Sequence, residues 1–196
     1  MNNYVYIVSS LPVLTPDSAV DTAAILEEIL SQCSEADRER IGFLLDGFEG
    51  KNLTPDFYRK ALGSDSAFLR EYFRYDLAVR NLKARYLNRE FGRDEEADTI
   101  VLGDETPDFE DAPRVQEILG GSDILGREKG LDQLMWAQID ALTTFHYFDL
   151  DAILGFVARL KITDRWLKLD EQTGREMFRR LTEQVRATFK GVEFEG

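Results

Sequence analysis

The sequence predicts an all-α fold, a multi-helix bundle, and three observations support this prediction. Apolar residues recur at alternating steps of three and four along most of the 196-residue chain. Residues that cap helices precede most of these periodic segments, and glycine or proline follows several of them. The alternative pattern, a β-branched and aromatic run typical of a strand, occurs in one short stretch near the N-terminus.

That N-terminal stretch, YVYIV, lies within residues 4–11 and is typical of a short strand or an extended lead-in, and the sequence leaves the choice between strand and helix open. It stops at Pro12, after which the pattern becomes helical. Asp17 or Ser18 can cap a first helix whose apolar positions continue to Cys33. We expect Cys33 itself to be a small apolar packing residue near the end of that helix.

Two further helices have recognisable start signals. Ser34 with Asp37 resembles a capping box, in which each residue satisfies the other's backbone N–H. Thr54 followed by Pro55 is a cap with proline at the first helical position, and Gly63 is placed to end that short helix.

The next segment predicts a long helix from about Ser66 to Phe91. Apolar residues form two stripes along it, so this helix should lie between neighbours and organise the fold. The stripes comprise Phe68, Tyr72, Tyr75, Val79, Leu82 and Tyr86, and Leu69, Phe73, Leu77, Ala84 and Leu87.

An acidic connector then interrupts the helical pattern. Residues 94–111 contain nine acidic residues and no basic ones, so removing them changes the net charge from -13 to -13 + 9 = -4. Such a segment favours a solvated, mobile stretch broken by the small apolar cluster TIVL. The chain thus divides into a helical half at 1–92, an acidic connector at 93–126 and a helical half at 127–196, and the halves could pack as one domain.

The helical signal returns after the connector. Apolar periodicity resumes at Leu131, and Asp149 is placed to cap a helix that runs through Leu160. Asp170 is placed to cap a last helix that runs through Phe189.

Composition excludes several classes of function. A pI of about 4.6 argues against nonspecific binding to DNA, RNA or an anionic membrane surface, because these polyanions repel an acidic chain. No basic residue precedes the short apolar run at the start, and no stretch approaches the roughly 18 apolar residues of a membrane span. We therefore expect a cytoplasmic protein that meets a membrane only through partners.

The residues needed for common catalytic sites are also missing. The sequence holds one cysteine and one histidine, and it lacks both the G-x-G-x-x-G and the P-loop spacing. His146 lies among aromatic residues and is expected to be packed or half-exposed rather than a catalytic base. The DEE and DFED runs favour solvated carboxylates over a Ca²⁺ or Mg²⁺ site. The prediction is a protein without enzymatic activity, cofactor or metal.

The most informative surface is an arginine ridge on the long helix, in the face left between its two apolar stripes. It has three interpretations: a solvated face that pairs with the chain's own acids, a docking surface for an acidic protein partner, or a phosphate-tracking surface for nucleic acid. The negative field of the whole chain disfavours the third. The partner-binding hypothesis names Arg70, Arg74, Asn81, Arg85 and Arg89.

The sequence YDLAVRNLKARYL, within the same helix, resembles a helix of the C-type (also called d-type) subunit family of V/A-type ATPases. There an acidic residue precedes an N-L-K triplet, and the matching residues here are Asp76, Asn81, Leu82 and Lys83. Two other blocks, NYVYIVSSLPVL and the segment from EKGLDQLMWAQIDALTTFHYFDLD to ARLKITDRWLKLDEQTG, resemble a bacterial family of uncharacterised proteins encoded beside V-type ATPase subunits.

The resemblance implies a helical, non-catalytic component or accessory of a rotary ATPase. Members of the C-type family couple the central stalk to the membrane rotor ring, so the implied partners are these ATPase subunits, and the implied location is peripheral to the membrane. Whether the chain replaces or only assists a C-type subunit stays open. The alternative function is an independent helical adaptor whose acidic connector binds a basic partner.

Overall fold

The structure, a computed structural model, describes residues 4–103 and 109–189, with side chains up to residue 170 and at Glu176. The described residues form α-helices and one short 3-10 helix, without a strand, which confirms the all-α prediction. The α-helices are α1 (Tyr4–Ser10), α2 (Thr22–Gln32), α3 (Glu35–Asp46), α4 (Pro55–Leu62), α5 (Ala67–Glu90), α6 (Ala112–Leu119), α7 (Ile124–Thr143) and α8 (Leu150–Phe189), and the 3-10 helix spans Gly50–Asn52.

The N-terminal run forms helix α1, which decides the choice between strand and helix that the sequence left open and corrects the expectation of a strand or an extended lead-in within residues 4–11. No other extended segment in the described part of the chain offers its backbone a partner, and a helix satisfies backbone N–H and C=O groups locally. The helix also buries Ile7 in the core. Tyr4 adds a hydrogen bond, which its hydroxyl donates to Asp37 at 3.1 Å.

The first cap of α2 also differs from its prediction. The helix begins at Thr22, and Asp21 caps it by accepting a hydrogen bond from the Ala24 backbone N–H at 3.0 Å. Ser18 instead accepts a hydrogen bond from the backbone N–H of Thr15 at 2.9 Å, which closes a turn before the helix. The predicted position of the cap is therefore a few residues too early.

The remaining start signals in the N-terminal half are confirmed. Ser34 and Asp37 form the capping box at α3, and Thr54 caps α4 with Pro55 in its first turn. Ser66 caps α5 by accepting a hydrogen bond from the Leu69 backbone N–H. The long helix predicted from Ser66 to Phe91 is thus present with nearly the expected ends.

The two helices predicted in the C-terminal segment form one continuous helix, α8. Asp149 accepts a hydrogen bond from the Ala152 N–H at 3.0 Å, as expected for a cap, but Asp170 lies inside α8 and starts no new helix. The segment from residue 150 to 189 contains no proline, and continuing an existing helix costs less than nucleating another. Its 40 residues make a rod of roughly 60 Å.

One hydrophobic core joins the two predicted halves, and α5 lies at its centre, packed against α4, α6, α7 and α8. Rings from α4 and α5 form an aromatic cluster, in which Phe57 meets Phe73 edge to face at 5.0 Å. From the C-terminal half, Ile139 of α7 and Ile153 of α8 are fully buried. Cys33 is buried in the same core, which confirms its packing role.

The acidic connector contains more regular structure than its composition suggested. Helix α6 lies within it and buries Val115 and Leu119. Residues 93–103, called the connector arm below, run along α5, with Ile100 and Leu102 half-buried against the core. The acids at 104, 105 and 108 lie outside the described residues. Within the described part, no helix is long and apolar enough to cross a membrane.

Candidate functional site

The C-terminal half of the arginine ridge holds the connector arm. Arg85 donates two hydrogen bonds to the Glu96 carboxylate, at 2.9 and 3.0 Å, in the two-pronged geometry that guanidinium and carboxylate groups favour. The hydrogen bond from Arg85 lowers the pKa of Glu96. One turn further along, Arg89 lies 3.8 Å from the carboxylate of Glu95. The ridge therefore already binds an acidic peptide segment, which belongs to the chain itself.

Two asparagines of α5 bind the backbone of the connector arm. The Asn81 amide group donates to the carbonyl of Ile100 and accepts from its N–H, both at 2.9 Å, as a neighbouring strand would. Asn88, only 2% exposed, donates to the carbonyls of Glu95 and Ala97. Asn88 is absent from the predicted site residues. Its signal in the sequence is weak, because an asparagine near a helix end is more often solvated.

The N-terminal half of the ridge makes local contacts. Arg70 donates to the backbone carbonyl of Ser64 at 2.6 Å and thereby ties α5 to the turn before it. Arg74 pairs with Glu71, one turn earlier on the same helix, at 2.5 Å. The structure thus brings three of the five predicted residues together on the connector arm and leaves two apart. Binding of a separate partner by the ridge stays a prediction.

The Asn81 contact gives a first testable expectation. Asn81→Ala should leave the N–H and C=O of Ile100 without their partners and reduce the free energy of unfolding by about 1–2 kcal/mol. Hydrogen exchange measured by mass spectrometry should show faster exchange in residues 93–103, while α7 exchanges as before. Asn52→Ala, which removes one exposed side-chain hydrogen bond to the carbonyl of Asp46, is the control. Unchanged exchange in the arm would contradict this assignment.

A groove of about 610 Å³ opens between α5 and the connector arm. This connector groove has Ile100 and Leu102 on the arm side, and Arg74, Asn81 and Arg85 of the ridge on the α5 side. Its wall is completed by apolar residues such as Leu77, Leu82 and Phe109. Its lining is largely apolar and also carries the guanidinium groups of Arg74 and Arg85 and the carboxylate of Glu71.

A second groove, about 460 Å³, lies between α5, α7 and α8, and its rim carries both signs of charge. In this charged groove Asp76 is only 7% exposed and accepts hydrogen bonds from the Tyr58 hydroxyl at 2.7 Å and from Arg80 Nε at 2.8 Å. Burial, and then the charge of Asp76, raise the pKa of Tyr58 far above its usual range, so it stays a donor.

The same groove contains a chain of ion pairs that connects all three helices. Lys83 of α5 and Arg165 of α8 both bind Glu128 of α7. Arg165 also contacts Asp132, which accepts a hydrogen bond from the indole N–H of Trp166 at 2.9 Å. Burial raises the pKa of Asp132 despite these partners. Burial acts in the same direction on Glu128, but hydrogen bonds from Lys83 and Arg165 outweigh it, and the pKa of Glu128 falls.

His146 lies in the turn between α7 and α8, with 36% of its side chain exposed, as the half-exposed interpretation predicted. Its Nδ1 lies 2.6 Å from Asp149 and 4.0 Å from Asp151. Phe145 and Tyr147, on either side of it, are exposed. The described residues include no group of three or more histidine, cysteine or carboxylate side chains arranged to hold a metal ion.

A pH dependence follows from His146. The hydrogen bond to Asp149 raises its folded-state pKa above the ordinary 6.5, so its stabilising effect is complete below pH 6.5 and is lost as the pH rises through the folded pKa. His146→Gln should therefore reduce the free energy of unfolding at pH 5.5, by less than about 1 kcal/mol because the pair is exposed, and change it little at pH 9. Equal losses at both values, in urea titrations, would contradict this.

The sequence of residues 51–188 matches the family described as "Protein of unknown function (DUF2764)". No curated protein and no solved structure matches the chain.

Proposed function

The chain belongs to the DUF2764 family, and we propose that it is a non-catalytic component or accessory of a V/A-type rotary ATPase. In this role it docks acidic segments of its partners on the arginine ridge of α5. The observation that carries the proposal is the mode in which the ridge binds the connector arm, through Arg85, Arg89 and Asn81. This is the chemistry that an acidic protein partner would use.

The residues that resemble the C-type family give a second line of support. Asp76 and Lys83 each connect α5 to another part of the bundle, Asp76 through Tyr58 of α4 and Lys83 through Glu128 of α7. Asn81 lies between them and binds the connector arm. The matching positions therefore hold the bundle together, which suits a component that transmits force rather than one that turns over a substrate.

The adaptor alternative receives less support from the same contacts. It requires the acids of the connector to be available to a basic partner. In the described part of the connector, Glu95, Glu96 and Asp98 are paired with arginines of the chain itself. A basic partner would have to replace these intramolecular pairs, whose geometry is already favourable at Glu96.

Co-purification tests the proposal. A tagged full-length chain, recovered from its native cells at low ionic strength, is expected to bring down V/A-type ATPase subunits, and raised salt should weaken the association because exposed charges are screened. The isolated chain is expected to hydrolyse no ATP. Recovery of the tagged chain without any of the ATPase subunits, at low salt and with intact membranes present, would overturn the assignment.

A further inference from the structure

We infer that the arginine ridge and the connector groove form a receptor for an acidic peptide segment, and that the connector arm is its resident ligand. A partner would then bind by replacing the arm. This inference deepens the proposed function, on which its partner rests, because it specifies the chemistry of the segment that the ridge recognises and the step that regulates access to it.

The backbone contacts show how α5 binds the main chain of such a segment. Asn81 binds both the N–H and the C=O of one residue, Ile100, and Asn88 binds two further carbonyls of the arm. These contacts are made to main-chain atoms, so they accept any sequence that follows the same backbone path, a turn over residues 95–98 and then the segment at Ile100. As in other modes of peptide recognition, main-chain bonds hold the ligand and side-chain contacts select it.

The side-chain contacts define the sequence that is selected. Arg85 and Arg89 lie one turn of α5 apart. Arg85 pairs with Glu96, and Arg89 pairs with the adjacent acid Glu95. Four and six residues after Glu96, Ile100 and Leu102 line the groove and pack against the core. The ligand class is therefore a segment with two adjacent acids in a turn, followed after a short spacer by apolar residues that line the groove.

Replacement of the arm is feasible because its ionic contacts lie at the surface. The Arg89–Glu95 pair and the Glu96 carboxylate are more than half exposed and the Arg85 side chain is a quarter exposed, so water can reach these groups when the arm separates. The arm also places Asp98 at a φ of 63°, a left-handed conformation that is uncommon for residues other than glycine. This strained turn reduces the cost of releasing the arm. Local opening of such surface segments occurs well below global unfolding.

A peptide-binding assay tests the receptor directly. The probe is a fluorescein-labelled peptide of residues 93–102, RDEEADTIVL, added to the full-length chain and followed by fluorescence polarisation. Wild type should bind it weakly, because the tethered arm has a high effective concentration. The double variant E95Q/E96Q weakens the arm, and it should bind the probe about three- to tenfold more tightly than wild type.

Matched variants separate this effect from a change in net charge. E27Q/E28Q neutralises two adjacent exposed acids on α2 and should bind the probe as wild type does. Adding R85E to E95Q/E96Q should abolish the gain. Circular dichroism confirms that each variant is folded. The inference is overturned if folded E95Q/E96Q binds the probe no more tightly than E27Q/E28Q, or if R85E leaves the gain intact.

The assay contains none of the ATPase subunits, so its outcome is independent of co-purification. If E95Q/E96Q shows the expected gain in probe binding but the tagged chain recovers no ATPase subunits, the receptor is supported and the ATPase assignment is overturned. If ATPase subunits are recovered but E95Q/E96Q shows no gain in probe binding, the ATPase assignment is supported and the receptor is overturned.

Discussion

Asp76→Ala is expected to lower the free energy of unfolding by about 2–3 kcal/mol. The substitution leaves the hydroxyl of Tyr58, whose side chain is fully buried, without its acceptor, and it removes the carboxylate that pairs with Arg80. Because the Arg80 side chain is about half exposed, its guanidinium can be solvated, which keeps the loss below that of a fully buried pair. Urea unfolding of the full-length chain measures the difference.

Two variants calibrate this result. Tyr58→Phe removes the hydroxyl but keeps the Asp76–Arg80 pair, and should cost about 1 kcal/mol. Asp56→Ala breaks an exposed pair with Arg59 on α4 and should cost no more than about 0.5 kcal/mol. If Asp76→Ala is as mild as Asp56→Ala, the buried network does not hold α4 to α5 in the way described.

Gly47→Ala should destabilise the fold by a similar amount, about 2–3 kcal/mol. A methyl group at this position would overlap the ring of Phe73, which is fully buried and surrounded by other rings. The ring cannot move aside without disturbing that cluster, and overpacking of a core commonly costs about 1–3 kcal/mol. The glycine has a right-handed backbone conformation, so the cost arises from contact and not from backbone strain.

The control for this prediction is Gly42→Ala, inside α3. A methyl group there meets no atom within 4 Å, so alanine should stabilise the helix by about 0.5–1 kcal/mol. The two substitutions are chemically identical and should have opposite signs in thermal or urea unfolding. A stable Gly47→Ala variant would show that the end of α3 does not lie against Phe73.

The parts of the fold that depend on local chemistry were predictable. Ser34, Thr54 and Asp149 each cap the helix that their sequence context indicated, because a cap needs only a side chain and the next few N–H groups. The double apolar stripe placed α5 at the centre, since a helix with two apolar faces must have neighbours on both.

The errors have two causes, contacts with distant residues and the low cost of extending an existing helix. The run YVYIV has strand propensity, yet α1 forms because Ile7 reaches the core in a helix and the described residues offer no strand to pair with. Asp170 is a residue type that often caps helices, but α8 continues through it because extending a helix costs less than starting a new one. Neither the burial of Ile7 in the core nor the continuation of α8 through Asp170 can be read from the local sequence pattern.

The candidate site was predicted only in part because contacts between residues distant in the sequence form it. Arginines on one face of α5 were visible in the sequence, and pairing with the chain's own acids was one of the three interpretations. The identity of the ligand was not visible, because Asn81 binds Ile100, 19 residues away, and no periodicity links the two. Asn88 became informative only when its burial was known.

The central claim is that Arg85 serves an acidic partner as well as the chain's own Glu96. The charge swap R85E/E96R tests it most directly, because it can restore the intramolecular pair while leaving an acid where a partner's acid would bind. In the swap, we expect hydrogen exchange in the connector arm to return toward wild type. R85E alone should lower the retention of ATPase subunits on the tagged chain, and the swap should not restore it. If the swap recovers wild-type retention, Arg85 only holds the connector arm, and the docking role of the ridge is contradicted.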